Sequence, residues 1–228
     1  MLRTQFTLTT KRQLTHDVYE LTYSCPDMIK EYPKHGQYVM FQLAPGLNRA
    51  YSIASFAGKT FTLIIKRIAE WRGSPMICDA EVGTTFSGML PLGHFVLQDN
   101  SRAKCFIGTG TGFAPVYCQA LGHSLRGEKA EKIAFVFWVR GLEDSFYEEE
   151  ILELGRSFVS FEYVQYFSRE GIDTERQRKW YVTDWITPER VSEYEEYYLC
   201  GSPAMVKSAR EKLEALGIAK ENIFWEQF

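Results

Sequence analysis

The chain has 228 residues, 45% of them hydrophobic, 15% aromatic and 24% charged, and its formal net charge is −3. This length suits one large domain or two ordinary ones, and the apolar share excludes a disordered chain. The small negative charge provides no overall field for nucleic acid or an anionic membrane, so any bound anion must be held by local groups.

The first hundred residues have the pattern of short antiparallel strands. Several runs rich in β-branched and aromatic residues are separated by turn residues, which predicts a barrel or sandwich. One short helix is expected after Gly73-Ser74-Pro75, with Ser74 as its N-cap and proline at the first helical position. The runs are Phe6 to Leu8, Val18 to Tyr23, Gln37 to Leu43 and Thr60 to Ile68.

From about residue 101 the pattern changes to alternating strands and helices, which predicts a parallel, doubly wound sheet of five strands. Ser202-Pro203 should cap a helix with the apolar stripe Met205, Ala209, Leu213 and Leu216, ending at Gly217. The predicted strands are Cys105 to Ile107, Ile133 to Arg140, Phe158 to Phe167, Tyr197 to Cys200 and Ile223 to Phe228. We therefore expect one domain over residues 1–100 and another over 101–228.

The five cysteines, at positions 25, 78, 105, 118 and 200, are widely spaced and odd in number. This pattern disfavours a disulfide framework and matches no zinc or iron–sulfur spacing, so no metal site is predicted. Met1 to Asp17 lacks the apolar core of a signal peptide, and the longest apolar run, Ile133 to Val139, is too short to span a bilayer. We expect a cytoplasmic protein without a membrane or nucleic-acid partner.

Arg49-Ala50-Tyr51-Ser52 offers a cation, an aromatic ring and a hydroxyl within four residues. On a short strand the first and third side chains share one face and the fourth takes the other. Arginine suits a pyrophosphate, and tyrosine offers a stacking plane with a polar tip. Taken alone, the motif is better explained by a surface arginine beside a core tyrosine.

Gly108-Thr109-Gly110-Thr111-Gly112-Phe113-Ala114-Pro115 runs from an apolar strand into a helix. A helix N-terminus carries unpaired N–H groups that attract phosphate, and glycines let the backbone approach the anion. The spacing is G-x-G-x-G, however, rather than the G-x-G-x-x-G of the usual dinucleotide fingerprint. On its own the turn supports phosphate binding and a ligand-free turn about equally.

Together these motifs resemble the ferredoxin–NADP reductase superfamily along nearly the whole chain. In that family an R-x-Y-[ST] motif binds FAD on an antiparallel barrel, and a later G-x-G-x-G-x-x-P turn takes the pyridine-nucleotide pyrophosphate. A C-G-x-x-x-M segment near the nicotinamide is matched by Cys200-Gly201-Ser202-Pro203-Ala204-Met205. The resemblance implies a Greek-key FAD barrel followed by a Rossmann-like NADP domain.

The resemblance also implies roles in FAD binding. Arg49 would pair with the FAD pyrophosphate, Tyr51 would lie along the isoalloxazine, and Ser52 would hydrogen-bond near flavin N5, with Ala50 as a further cofactor-binding candidate. Gly73 and Ser74 would cap the pyrophosphate, a weaker match because Trp71-Arg72 replaces the small residues often found there. Ile65 and Lys66, which close the preceding strand, are further cofactor-binding candidates, although Lys66-Arg67 alone indicates a solvated basic strand end.

In the family a terminal aromatic residue covers the flavin face that nicotinamide must reach, and Phe228 matches it. Cys200 and Glu226 would be polar neighbours of the transfer site, with Gly201 beside the nucleotide. Ser52, Cys200, Glu226 and Phe228 are therefore the candidate catalytic residues. The alternative is that Phe224, Trp225 and Phe228 only pack the last strand.

Ser168-Arg169 and Lys179-Trp180-Tyr181 match segments that hold the 2′-phosphate of NADPH in plant-type members of the family. Two cations and two hydroxyls suit a group with a charge near −2. A solvated basic loop is the alternative, since Arg176 and Arg178 lie nearby. No acidic residue takes the ribose role expected of an NAD site, which favours NADPH.

The resemblance implies an FAD-dependent oxidoreductase that passes hydride from NADPH to FAD and then electrons to ferredoxin or flavodoxin. A monomer is expected. One alternative is an NAD(P)H-dependent reductase of free flavin. Another is a non-autonomous electron-transfer subunit, although such subunits usually carry an iron–sulfur cysteine cluster, which this sequence lacks. A binding module that has lost its flavin is disfavoured by Arg49, Tyr51 and Ser52.

Overall fold

In a computed structural model, which describes residues 1–125 and 132–228, the chain forms two compact units, Met1–Leu97 and Gln98–Phe228. No helix among these residues is long and apolar enough to cross a membrane. All five cysteines are buried free thiols.

The first unit is a closed antiparallel barrel with the strand order β1-β2-β5-β4-β3-β6. Strands β3, β4 and β5 follow one another as hairpins, and β6 returns beside β3, which is a Greek-key connection. A helix, α1, covers Gly73–Cys78. The strands are β1 (Leu2–Gln13), β2 (Val18–Ser24), β3 (Tyr38–Ala44), β4 (Leu47–Ala57), β5 (Thr60–Lys66) and β6 (Thr85–Leu92).

Aromatic rings fill the barrel interior because alternate strand residues point inward. Phe6 meets Phe41 edge-on with ring centroids 4.7 Å apart, and Tyr23 stacks on Phe61 at 5.4 Å. All four side chains are fully buried. This core holds β4, which carries the arginine–tyrosine–serine motif, on a rigid wall.

Helix α1 begins differently from the prediction. Its N-cap is Arg72, which makes no side-chain cap hydrogen bond, and Ser74 lies inside the first turn. The Ser74 hydroxyl accepts a hydrogen bond from the Ile68 N–H at 2.9 Å. The prediction of Ser74 as N-cap is therefore wrong, because the hydroxyl reaches back to the preceding loop rather than to the helix.

The second unit is a parallel sheet of six strands in the order β10-β9-β8-β7-β11-β12. The sixth strand is β10, a three-residue edge strand. The sequence does not predict it because Gln177, Arg178 and Lys179 form no apolar run. The strands are β7 (Lys104–Thr109), β8 (Ile133–Val139), β9 (Phe161–Phe167), β10 (Gln177–Lys179), β11 (Glu196–Gly201) and β12 (Ile223–Gln227).

The helices of this unit are α2 (Phe113–Ser124), α3 (Glu148–Gly155), α4 (Pro188–Val191) and α5 (Pro203–Ala215). Ser202 caps α5 as predicted, its side chain accepting a hydrogen bond from the Met205 N–H. The chain builds outward from β7 to β10 and then continues on the other side of β7 with β11. The strand order therefore reverses between β7 and β11, and ligands of such sheets bind outside the carboxyl ends of the strands at this switch point.

A buried ion pair joins the amino ends of β7 and β11. Lys104 is 0% exposed and Glu196 2% exposed, and the Nζ and Oε2 atoms are 3.2 Å apart. Asn100 Oδ1 accepts from Lys104 Nζ at 2.6 Å, and Tyr198 Oη donates to Glu196 Oε2 at 2.8 Å. Burial raises the pKa of Glu196. The Asn100 amide, which donates to Glu196 Oε1 at 2.7 Å, the lysine charge and the Tyr198 hydroxyl outweigh burial and hold the pKa below its ordinary value.

Candidate functional site

The arginine–tyrosine–serine motif lies in the middle of β4, a strand of eleven residues rather than a short one. Arg49, Tyr51 and Ser52 are each partly buried. Arg49 donates to the Asn48 carbonyl at 2.8 Å, and the Tyr51 ring meets Phe41 edge-on at 5.7 Å. Burial, with a smaller effect of Cys78, raises the pKa of Tyr51 to about 12, so its phenol stays protonated and can donate a hydrogen bond.

Arg49 lies across the start of α1. A Cβ on Gly73 would be 2.7 Å from Arg49 Cγ, so the missing side chain makes room for the arginine. The N–H groups of the first turn of a helix lack intrahelical partners. With the Arg49 side chain beside Gly73, this helix start forms a cradle whose charge suits an anionic group such as the pyrophosphate of FAD. The structure thus brings together Arg49, Gly73 and Ser74, which the sequence separates by more than twenty residues.

Two other candidates in this unit have structural partners. Lys66 forms an ion pair with Asp17 at 2.7 Å. Ile65 is buried in the barrel wall opposite Tyr19. Arg67 donates two hydrogen bonds to Asp79. These contacts favour a role in closing the strand end, and a cofactor contact by Ile65 or Lys66 stays a prediction.

The glycine turn lies at the switch point of the second unit. Gly108 and Thr109 are the last residues of β7, Gly110 to Gly112 form a 3₁₀ turn, and α2 begins at Phe113. Gly110 has a φ of +54°, a left-handed conformation. The other predicted members of the motif are partly buried Thr111 and, in the first turn of α2, buried Pro115.

The glycine turn packs directly against Cys200 and Gly201 at the end of β11. A Cβ on Gly112 would collide with the Cys200 carbonyl, and one on Gly201 would collide with Thr109 Oγ1. Thr109 Oγ1 also accepts a weak hydrogen bond from the Ser202 N–H at 3.4 Å. Two segments almost ninety residues apart in sequence therefore meet backbone to backbone where a dinucleotide would bind.

Cys200 and Glu226 are neighbours across β11 and β12. Burial, with a smaller effect of Glu226, raises the pKa of the Cys200 thiol well above its ordinary value, so the thiol stays neutral. Phe224 stacks on Tyr198 with ring centroids 4.9 Å apart, as expected for a residue that packs the last strand. Phe228, by contrast, is 62% exposed.

Ser168, Arg169, Lys179 and Tyr181 come together at the carboxyl ends of β9 and β10. Lys179 pairs in register with Phe167, directly before Ser168 and Arg169. Among residues 1–125 and 132–228, the Arg169 and Lys179 side chains form no ion pair. Lys179 also lines a cavity of about 300 Å³. Two unpaired cations beside two hydroxyls fit a phosphate group.

Sequence reasoning missed Trp138, whose indole N–H donates to the Trp180 carbonyl at 3.0 Å and whose ring stacks on Tyr181. The periodicity of β8 alone does not distinguish it from the other apolar residues of that strand. A signal was nevertheless present, because Trp138 is the second-last residue of a parallel strand and lies at the ligand-binding end of the sheet.

Comparison with known proteins also indicates a dinucleotide site in the second unit. Residues 106–211 match the oxidoreductase NAD-binding domain family. The reductase component of propane 2-monooxygenase from Rhodococcus jostii strain RHA1 is 31% identical over 207 residues, which cover 86% of this chain and 55% of the relative. The chain thus spans little more than half the length of this curated relative.

Solved structures match over the whole fold. A cytochrome P450 reductase of Amycolatopsis has a TM-score of 0.86 at 23% identity, covering 100% of this chain and 70% of its own. A ferredoxin–NADP⁺ reductase of Neisseria gonorrhoeae with bound FAD and NADP has a TM-score of 0.82 at 18% identity, covering 99% and 98%. The predicted barrel and parallel-sheet fold is confirmed. The chain therefore has the two-domain fold of ferredoxin–NADP reductase-like structures, and its residues 106–211 match the oxidoreductase NAD-binding domain family.

Proposed function

We propose that this protein is an FAD-dependent oxidoreductase that takes hydride from NADPH and passes electrons to a separate carrier. The observation that carries the proposal is the backbone contact between the glycine turn and Cys200-Gly201 at the switch point. Because no side chain separates Gly112 from the Cys200 carbonyl, the backbones of both segments can line one bound dinucleotide.

In the first unit, FAD would be held by the Arg49 guanidinium and the start of α1. Arginine recognises phosphate oxygens through a fixed fork of N–H donors. Tyr51, Ala50 and Ser52 would lie along the flavin ring, and the protonated Tyr51 phenol and the Ser52 hydroxyl would donate hydrogen bonds to it. When bound, the flavin supplies the chemistry, since it accepts hydride and can release electrons singly.

In the second unit, the glycine turn would hold the pyrophosphate of NADPH, while Ser168, Arg169, Lys179 and Tyr181 would hold the 2′-phosphate. The nicotinamide would be oriented by the neutral Cys200 thiol together with Glu226 and Phe228. The protein's contribution is then to position the reacting groups and exclude water rather than to form covalent bonds with them.

The electron acceptor would be a ferredoxin, a flavodoxin or an oxygenase partner. The similarity to a protein named as the reductase component of a monooxygenase supports a carrier of this kind. Free flavin is the alternative acceptor, and the cradle formed by Arg49 and Gly73 favours bound FAD over loosely held substrate flavin. We further propose a cytoplasmic monomer.

Replacing Arg169 with alanine tests the preference for NADPH. We expect the KM for NADPH to rise about 10- to 150-fold, because one charge-assisted contact contributes about 1.5–3 kcal/mol. The KM for NADH should change little, since NADH lacks the 2′-phosphate. Steady-state reduction of ferricyanide with each coenzyme measures both values. Equal effects on NADPH and NADH would contradict the assignment.

A further inference from the structure

Trp180 has a backbone conformation that is unusual for a bulky residue. Its φ is +88°, in the left-handed region that residues other than glycine rarely adopt. Its side chain is 58% exposed, so burial of the ring does not compensate for the strain. Residues held in such conformations persist only when the surrounding structure fixes them, and they are enriched at ligand-binding sites.

Two hydrogen bonds hold the Trp180 backbone in place. Its N–H donates to the Phe167 carbonyl at 2.9 Å, and its carbonyl accepts from Trp138 Nε1 at 3.0 Å. The carboxyl ends of β8, β9 and β10 are therefore joined at this residue. The next amide, that of Tyr181, donates to Asp184 Oδ2 at 3.0 Å.

The Trp138 side chain also fixes the neighbouring tyrosine. Its ring lies nearly parallel to the Tyr181 ring, with centroids 6.1 Å apart and an angle of 25° between the planes. On the other side of the strained residue, Lys179 Nζ lies 5.9 Å from the centroid of the Trp180 ring. One indole thus contacts both the carbonyl that precedes Tyr181 and the face of the Tyr181 ring.

We infer that Trp138 is a positioning residue for the phosphate-bearing adenosine end of the dinucleotide. It acts through Trp180, because its N–H stabilises the left-handed turn that separates Lys179 from Tyr181. Without that hydrogen bond the turn relaxes, and the cation and the phenol no longer face the same ligand. The inference rests on the proposed function, since it needs a nucleotide at Lys179 and Tyr181.

The test compares the full-length protein with its Trp138→Phe variant, which keeps an aromatic ring and removes the N–H donor. Calorimetric titration measures the binding of two probes, adenosine 2′,5′-bisphosphate and nicotinamide mononucleotide. We expect the variant to bind the bisphosphate about 2- to 12-fold more weakly, the range for one neutral hydrogen bond. Nicotinamide mononucleotide should bind unchanged, and NADPH turnover should show a higher KM with the same kcat.

A second substitution separates positioning from general damage. Glycine adopts a left-handed φ without strain. The double variant Trp138→Phe/Trp180→Gly should therefore recover most of the lost affinity for the bisphosphate. Trp225→Phe, an exposed tryptophan beside Arg210, is the matched control and should change neither affinity.

The outcomes distinguish the inference from the proposed function. If the unaltered protein binds neither probe, the proposed function fails and the inference fails with it. If the unaltered protein binds the bisphosphate and Trp138→Phe binds it equally well, the inference alone is overturned. Equal weakening of both probes, or no recovery in the double variant, would also overturn it.

Discussion

Replacing Lys104 with methionine should lower the free energy of unfolding by about 3–5 kcal/mol, the usual cost of removing one partner from a buried ion pair. The substitution removes the buried cation from the Glu196 carboxylate, which is 2% exposed, and leaves only the half-exposed Arg102 guanidinium, 3.8 Å away. Urea unfolding followed by tryptophan fluorescence measures the change, because Trp138, Trp180, Trp185 and Trp225 all lie in the second unit.

Lys132→Met is the matched control. Lys132 forms an ion pair with Glu193 at 2.6 Å, but the two side chains are 35% and 41% exposed. Solvent screens such pairs, so the loss should be about 0–1 kcal/mol. Equal losses in the two variants would show that the buried Lys104 pair contributes no more to the free energy of unfolding than the exposed Lys132 pair.

The same pair makes stability depend on pH. The pKa of Glu196 is lower in the folded protein than its ordinary value. Its stabilising contribution is therefore fully present above the unfolded value near 4.3 and is lost as the pH falls through the folded value. Part of the acid sensitivity of the second unit should accordingly disappear in Glu196→Gln.

Gly112→Ala should reduce kcat/KM for NADPH about 100-fold, because a displacement of about 1 Å at a reacting site can cost this much. The added Cβ would collide with the Cys200 carbonyl. A Cβ is fixed to its own backbone, and the carbonyl is part of the backbone, so neither can rotate away. Either the turn or the Cys200-Gly201 segment must therefore move. Steady-state kinetics with NADPH measures the loss, and FAD affinity should stay unchanged.

Gly171→Ala is the control for that substitution. A Cβ at Gly171 has no neighbouring atom within 4 Å, and this glycine does not have a positive φ. Its kcat/KM should stay within about twofold of the unaltered protein, since the added methyl group meets no neighbouring atom and the backbone need not move. A Gly112→Ala variant with nearly full activity would show that the glycine turn tolerates displacement and is not the nucleotide site.

Much of the architecture follows from local patterns. Alternating apolar residues predict the barrel strands, and continuous apolar runs such as Ile133 to Val139 predict the buried parallel strands. Ser202-Pro203 predicts the start of α5 because a serine N-cap and an early proline act through neighbouring residues only. Such signals need no knowledge of distant contacts.

The features that the sequence does not predict depend on contacts outside each helix or strand. Strand β10 is polar and forms only because β9 provides an edge for it to pair with. The Ser74 hydroxyl bonds to Ile68 rather than capping α1. The hydrogen bond from Trp138 to Trp180 joins residues 42 positions apart. No local propensity encodes these partners.

For the site, motif order was more informative than any single motif. The glycine turn and Cys200-Gly201 are each ambiguous as sequence, yet they meet at the switch point because β7 and β11 are adjacent parallel strands. Their backbone contact depends on three small positions, Gly112, Gly201 and Thr109, which fit together only in the folded sheet.

The most direct test of hydride transfer from NADPH to bound FAD is an anaerobic titration of the FAD-loaded protein with NADPH, following the visible absorbance band of the flavin. We expect the band to bleach with one equivalent of NADPH per flavin, and Arg49→Met to retain little FAD under the same loading. A protein that takes up no FAD, or whose bound flavin keeps its colour in excess NADPH and NADH, would contradict it.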